Sequence, residues 1–122
     1  MNKDELKKFR KKITNWNFFL KKRNTSQFRI SLEWVGKFLN CYFCGIQLHA
    51  GISSLDHKKP LSRGGGDNEE NLHIVCKTCN GAKGSLNLEQ FKKLHDLLML
   101  PPFTEKERLM IFRKLISSWR VQ

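Results

Sequence analysis

Residues 41–84 read CYFCGIQLHAGISSLDHKKPLSRGGGDNEENLHIVCKTCNGAKG, and the two Cys-x-x-Cys hooks in this stretch decide how the chain folds. Cys41 with Cys44 forms the first hook and Cys76 with Cys79 the second. Each hook can wrap backbone around one side of a tetrahedral metal, so the two together predict a closed four-thiolate site of the kind that holds a structural zinc. Buried unligated thiols and a transient redox pair are the competing readings. Two matched hooks favour zinc where thiols stay reduced. Glycines follow both hooks, Gly45 and Gly81, at points where tight turns often need positive φ. The span from Gly45 to Val75 is longer than in compact zinc patterns, so something folded must lie between the hooks.

Within that span, Ile52–His57 and Leu72–Cys76 have the length and the apolar content of strands, and the glycine-bearing stretch Leu61–Glu70 joins them. A small hairpin with a wide loop is predicted. On its N-terminal side, Leu6, Phe9, Ile13, Trp16 and Leu20 recur at steps of three and four, which predicts a helix over Asp4–Leu20. A shorter helix is expected over Ser31–Leu39, with Ser31 as its N-cap and Glu33 in its first turn. On the C-terminal side, Asn87 with Gln90 and Thr104 with Glu107 read as capping boxes that open two further helices. Pro101 and Pro102 separate them. Leu109, Phe112, Leu115, Ile116 and Trp119 give the last helix an apolar stripe.

Charge follows the same division. The chain has 122 residues, room for one ordinary domain, and carries 23 Lys plus Arg against 11 Asp plus Glu, a formal net charge of +12. Residues 1–37 hold a local +8, residues 38–80 are neutral and residues 81–122 hold +4. A surplus of this size implies a polyanionic partner, with attachment on the flanks and chemistry in the neutral middle. Hydrophobic residues at 39% and aromatics at 11% exclude disorder as the main state. No stretch has the roughly 20 apolar residues of a membrane span, and the opening MNKDELKKFRKK lacks the apolar run of a secretory signal. The protein is therefore expected to stay in the reducing compartment where it is made, the cytoplasm.

With LDHKKP at 55–60, RGGGDNEENL at 63–72 and NGAKG at 80–84 set between and beside the hooks, the sequence resembles the HNH endonucleases, in particular the small zinc-stabilised kind of phages and bacteria. Their pattern runs Cys-x-x-Cys, Asp-His with Pro three residues on, Gly-Gly, Asn-Leu, and Cys-x-x-Cys-Asn followed by Lys. Asn80 stands where many members have a final His, which makes this an H-N-N variant. The close likeness covers Cys41–Gly84.

The resemblance implies an α+β fold, a ββα-metal finger with a four-cysteine structural zinc and flanking helices, in one domain (1–39 basic helical segment, 40–84 zinc-stapled core, 85–122 helical segment). It implies endonucleolytic hydrolysis of DNA, with His57 as general base and Asp56 and Asn80 as ligands of a catalytic magnesium or manganese ion. Asn71 would pin the loop and orient His57. Lys83 and Arg63 are candidates for phosphate contacts. Physical chemistry supports these roles one by one. Histidine accepts a proton near neutral pH, and a carboxylate and an amide carbonyl are hard ligands suited to Mg²⁺ or Mn²⁺. Alternation along a regular strand would send Asp56 and His57 to opposite faces, so a strand end or a bulge is expected there.

His49 and His73 fall outside the implied catalytic positions and read as surface or supporting residues. His95 is expected at the edge of a helix's apolar face. The lysines of the first helix, Lys7, Lys8, Lys11 and Lys12 among them, read as a phosphate clamp. One Asp-His pair per chain implies nicking by a monomer, the favoured state, although the last helix could pair with its copy in a homodimer. The rival of another class is a non-catalytic zinc module binding nucleic acid through the same flanks. It leaves the joint presence of Asp56, His57, Asn71 and Asn80 unexplained.

Overall fold

The computed structural model describes residues 1–99 and 104–121, without the side chains of Phe112 and residues 115–121. The expected break at Pro101 and Pro102, and the apolar stripe through Phe112, Leu115, Ile116 and Trp119, lie outside the described residues.

The first helix, α1, spans Lys3–Arg23. It starts where the Asn2 side chain accepts from the Glu5 amide at 2.8 Å, with Asp4 and Glu5 in the first turn and Lys21, Lys22 and Arg23 in the last. Both ends thus match the helix dipole. The helix runs three residues past the expected Leu20 and stops at Asn24, which takes a left-handed conformation with φ of 51°. Asn17 then clasps the returning chain, its side chain bonding the Ile30 amide at 2.8 Å and the Ile30 carbonyl at 2.9 Å. Helix α2 is shorter than expected, Leu32–Val35, capped by Ser31.

The predicted hairpin is present. Strand β1, Ser53–His57, pairs antiparallel with β2, Leu72–Cys76, in a register that sets Ser53 against Cys76, Asp56 against His73 and His57 against Leu72. The pairing runs in regular register to His57, where β1 ends, with no bulge, so Asp56 and His57 keep the opposite faces that alternation gives them and the expected irregularity does not bring them together. Helix α3, Lys77–Lys83, follows β2 at once, with Cys76 as its N-cap. Helix α4, Leu88–Leu98, opens with the expected capping box of Asn87 and Gln90. Helix α5, Glu105–Val121, opens with that of Thr104 and Glu107. Together these give an α+β fold built on a small two-stranded sheet.

Two hydrophobic clusters cover the two faces of the hairpin. Leu72, Ile74 and the partly buried Leu55 pack with Phe9, Leu20, Ile30, Trp34 and Val35 of the N-terminal segment. Val75 packs with Phe43, Leu86, Phe91, Leu94 and Leu98 beside the cysteines. Among the described residues no helix is long and apolar enough to cross a membrane.

The loop between the strands turns back on itself through two short 3₁₀ turns, Leu61–Arg63 and Glu69–Asn71. Gly65 sits against the strand exit so closely that a Cβ there would lie 1.8 Å from the Lys59 carbonyl oxygen. Gly64 has φ of +86° but open space around it. Gly65→Ala should therefore cost about 3 kcal/mol of stability, because backbone must move. Gly64→Ala should cost only about 1 kcal/mol, the ordinary penalty for a left-handed residue. Denaturant unfolding of the two variants checks the ranking.

Candidate active site and metal centre

The second hook shows how local sequence builds the cluster. Cys76 ends β2, and its sulfur accepts the Cys79 amide at 3.4 Å, so one residue caps α3 and also turns Cys79 back towards it. The first hook is held by a tight turn in which the Cys41 amide donates to Ile46 O at 2.8 Å and the Gly45 amide to Cys41 O at 2.9 Å. Gly45 has φ of 77°, as the turn requires, whereas Gly81 lies inside α3 without the positive φ expected of it.

All four sulfurs lie within 4.8 Å of one another, and those of Cys44 and Cys76 are 3.7 Å apart. A tetrahedron with metal–sulfur arms of about 2.3 Å has edges of about 3.8 Å, so this arrangement fits one ion. The thiols also perturb one another. The Cys79 thiol, by its hydrogen bond, pulls the Cys41 pKa down to about 4. Cys79 is pushed well up by the same contact, and burial pushes Cys76 up to about 11. Four crowded thiols cannot all ionise unless a cation balances them, which is what a closed metal site supplies.

On the hairpin face towards α3, Asp56 is 4% exposed and its carboxylate is held from two sides. His73 Nε2, from the cross-strand partner, lies 2.6 Å from Oδ2, and Lys83 Nζ lies 3.1 Å from Oδ1. Lys83 also donates to the His57 carbonyl at 2.8 Å. Asn80 sits one turn before Lys83 on α3 and reaches β1, its Nδ2 donating to Ser54 Oγ at 2.6 Å and more weakly to Leu55 O at 3.4 Å. A backbone carbonyl only accepts, so it fixes the orientation of the amide and leaves Oδ1 as the end available to a ligand. Asp56 and Asn80 thus supply a carboxylate and an amide oxygen to the same β1–α3 seam. Both are hard donors, and both Asp56 oxygens already hold donors from the protein, His73 and Lys83.

His57 turns the other way, as strand alternation requires. Its Nε2 lies 2.8 Å from Oδ1 of Asp67, which is bound in turn by Arg23 and Thr25. Asn71 joins the two ends of the loop: its side chain accepts from the Lys59 amide at 2.8 Å and donates to Lys59 O at 3.0 Å and Gly66 O at 2.9 Å.

One placement differs from expectation. Lys83, a candidate for a phosphate contact, is 1% exposed, and its ammonium is engaged by Asp56 and the His57 carbonyl. Asn71 pins the loop through Lys59 and Gly66, while the His57 ring itself faces Asp67, which sequence reasoning did not single out. His73, expected at the surface or in support, is buried against Asp56. Its position directly across from Asp56 in an antiparallel register was the signal that could have found it. Arg63 is exposed near α4, its Nη1 3.2 Å from Gln90 Oε1, His49 is exposed and His95 is buried on α4.

Purified protein should carry about one zinc per chain, the count of a closed four-thiolate site. Cys41→Ser and Cys79→Ser should lose metal and native structure together, checked by elemental analysis and circular dichroism.

No curated protein matches this chain. Compared with protein families, residues 41–86 match the model described as HNH endonuclease. That segment holds both hooks, the hairpin and α3, while α1 and α2 lie outside it. By its β-hairpin, its helix and its four clustered cysteines, the segment from Cys41 to Leu86 belongs to the HNH endonuclease family.

Proposed function

We propose that the chain is a metal-dependent DNA endonuclease with a structural zinc in the four-cysteine cluster and a single hydrolytic centre at the end of the β1–β2 hairpin. The observation that carries this reading is the placement of Asp56 and Asn80 on the two sides of the β1–α3 seam, Asn80 bonded to β1 and Asp56 bonded to Lys83 of α3, beside the point where β1 ends at His57.

A phosphodiester resists hydrolysis because the nucleophile is weak and charge builds on the leaving oxygen. His57 takes a proton from the attacking water. One P–O3′ bond breaks, the 3′ oxygen collects a proton from solvent, and the products carry 5′-phosphate and 3′-hydroxyl ends. Asp56 and Asn80 would hold a magnesium or manganese ion, which when bound stabilises the charge on the leaving oxygen. Lys83 acts at one remove: its buried ammonium, with His73, fixes the Asp56 carboxylate, so its role is to aim a ligand and not to touch phosphate. Asn71 closes the loop that carries Asp67. The residues of 1–122 act as one unit, and a monomer with one centre nicks one strand per encounter.

DNA approaches along α1. Lys7, Lys8 and Lys11 are exposed there, whereas Lys12 is half-buried and donates to Ser53 O at 2.6 Å. A non-catalytic nucleic-acid module is the second reading, favoured by one observation: both Asp56 oxygens already carry donors from the protein itself.

His57→Ala should slow cleavage of supercoiled plasmid by about 100-fold or more and leave DNA affinity within a few fold, because the base acts in the transition state. Cutting at the wild-type rate by a preparation free of contaminating nuclease rejects the mechanism. Reversing the charge of Lys7, Lys8 and Lys11 should weaken binding to unrelated sequences alike. It should also flatten the slope of log K against log salt by about 0.9 for each phosphate that the helix no longer neutralises. Titrations at several salt concentrations measure this.

A further inference from the structure

We infer that Asp67 is a positioning residue for His57, locked in place by Arg23 and Thr25 of the N-terminal segment, so that the general base of this nuclease is set from outside the family-matched core. The inference rests on the reading of His57 as the base.

The geometry is closed on every side. Asp67 is 1% exposed and accepts four hydrogen bonds. Arg23 Nη2 and His57 Nε2 lie on Oδ1, and Arg23 Nε and Thr25 Oγ1 on Oδ2, all at 2.8 Å. An ionised carboxylate offers about four lone-pair sites and no proton, so this set fills it. The Arg23 guanidinium holds the Asp67 carboxyl well below the usual carboxylate range, with His57 and Thr25 adding to the effect. Because arginine can only donate and the carboxylate can only accept, the His57 atom facing Asp67 must be N–H. The proton of the neutral ring then resides on Nε2, and Nδ1 is left with the lone pair that takes a proton from water. Without Asp67 the ring is free to rotate and to exchange tautomers, and either change removes Nδ1 from the place where it works.

The placement also explains the ends of two elements. Arg23 is the last residue of α1 and Thr25 follows the left-handed Asn24, so the exit of the helix is shaped to present both donors to a loop more than 40 residues away. Arg23 thereby commits two of its five N–H donors to Asp67.

The test combines kinetics with a direct view of the ring. In wild-type protein labelled with ¹⁵N-histidine, His57 should show the Nε2–H tautomer at a pH where the ring is neutral. An Nδ1–H tautomer overturns the proposal, whatever the variants do. In single-turnover cleavage at saturating DNA, Asp67→Asn should lose about 100-fold in rate with DNA affinity changed by less than about threefold. Arg23→Lys, which keeps a donor and a charge, should recover more activity than Arg23→Gln. Asp67→Asn cutting within about threefold of wild type while His57→Ala is inactive overturns the positioning role and leaves the nuclease reading standing. Wild-type cutting by His57→Ala removes the base itself and both readings with it.

Discussion

Everything in the proposed centre depends on the short connection at Cys76, where β2 ends and α3 begins without an intervening loop. The Cys76 sulfur caps the helix and faces Cys79 one turn on, so the same two residues that would bind metal also set the angle at which α3 leaves the sheet. Asn80 and Lys83 inherit their positions from that angle. A change at the cluster would therefore be felt in the seam between α3 and β1, although the cysteines take no part in the chemistry proposed there. The constraint suits a small domain, where a closed metal site contributes much of the folding free energy that a larger core would otherwise provide.

Buried charge is the second organising feature. Lys83 and Asp56 face each other in the interior, and His73 completes the carboxylate's shell. Such pairs are weak evidence for stability, since desolvation offsets most of the attraction, but removing one partner typically costs about 3 to 5 kcal/mol by leaving the other uncompensated. Asp67 repeats the arrangement on the opposite face, with Arg23 in place of lysine. The hairpin thus carries one clamped carboxylate on each side of its free end, one towards α3 and one towards α1. If a scissile phosphate lies across that end, it meets a donor set from one face and a histidine from the other.

Much of the frame was legible in the residues because its signals are local. The hooks, the two strands, and the caps at Ser31, Asn87 and Thr104 each announce themselves within a few positions, and the strands and caps stand where expected. Helix α2 fell short because, after the helical bond from the Gly36 amide to the Leu32 carbonyl, the Lys37 and Phe38 amides bond only three residues back, to Trp34 and Val35, and the chain tightens out of the α-helix. The surroundings of the site were less legible. His73 reaches Asp56 through strand register, Lys83 becomes buried only once α3 is seated, and Asp67 finds Arg23 across 44 positions of sequence. Pattern reading singled out the four residues of the signature but not their neighbours, since those contacts exist only after long-range packing.

Whether the β1–α3 seam supports metal-dependent hydrolysis of DNA is decided by end-group analysis of the products. Supercoiled plasmid incubated with the full chain should be nicked when magnesium or manganese is supplied. It should stay intact when EDTA removes the exchangeable ion, and the nicks formed should be resealable by ligase because they carry 5′-phosphate and 3′-hydroxyl ends. Plasmid that is bound but remains uncut in every divalent ion, or that is cut equally well in EDTA, contradicts the account.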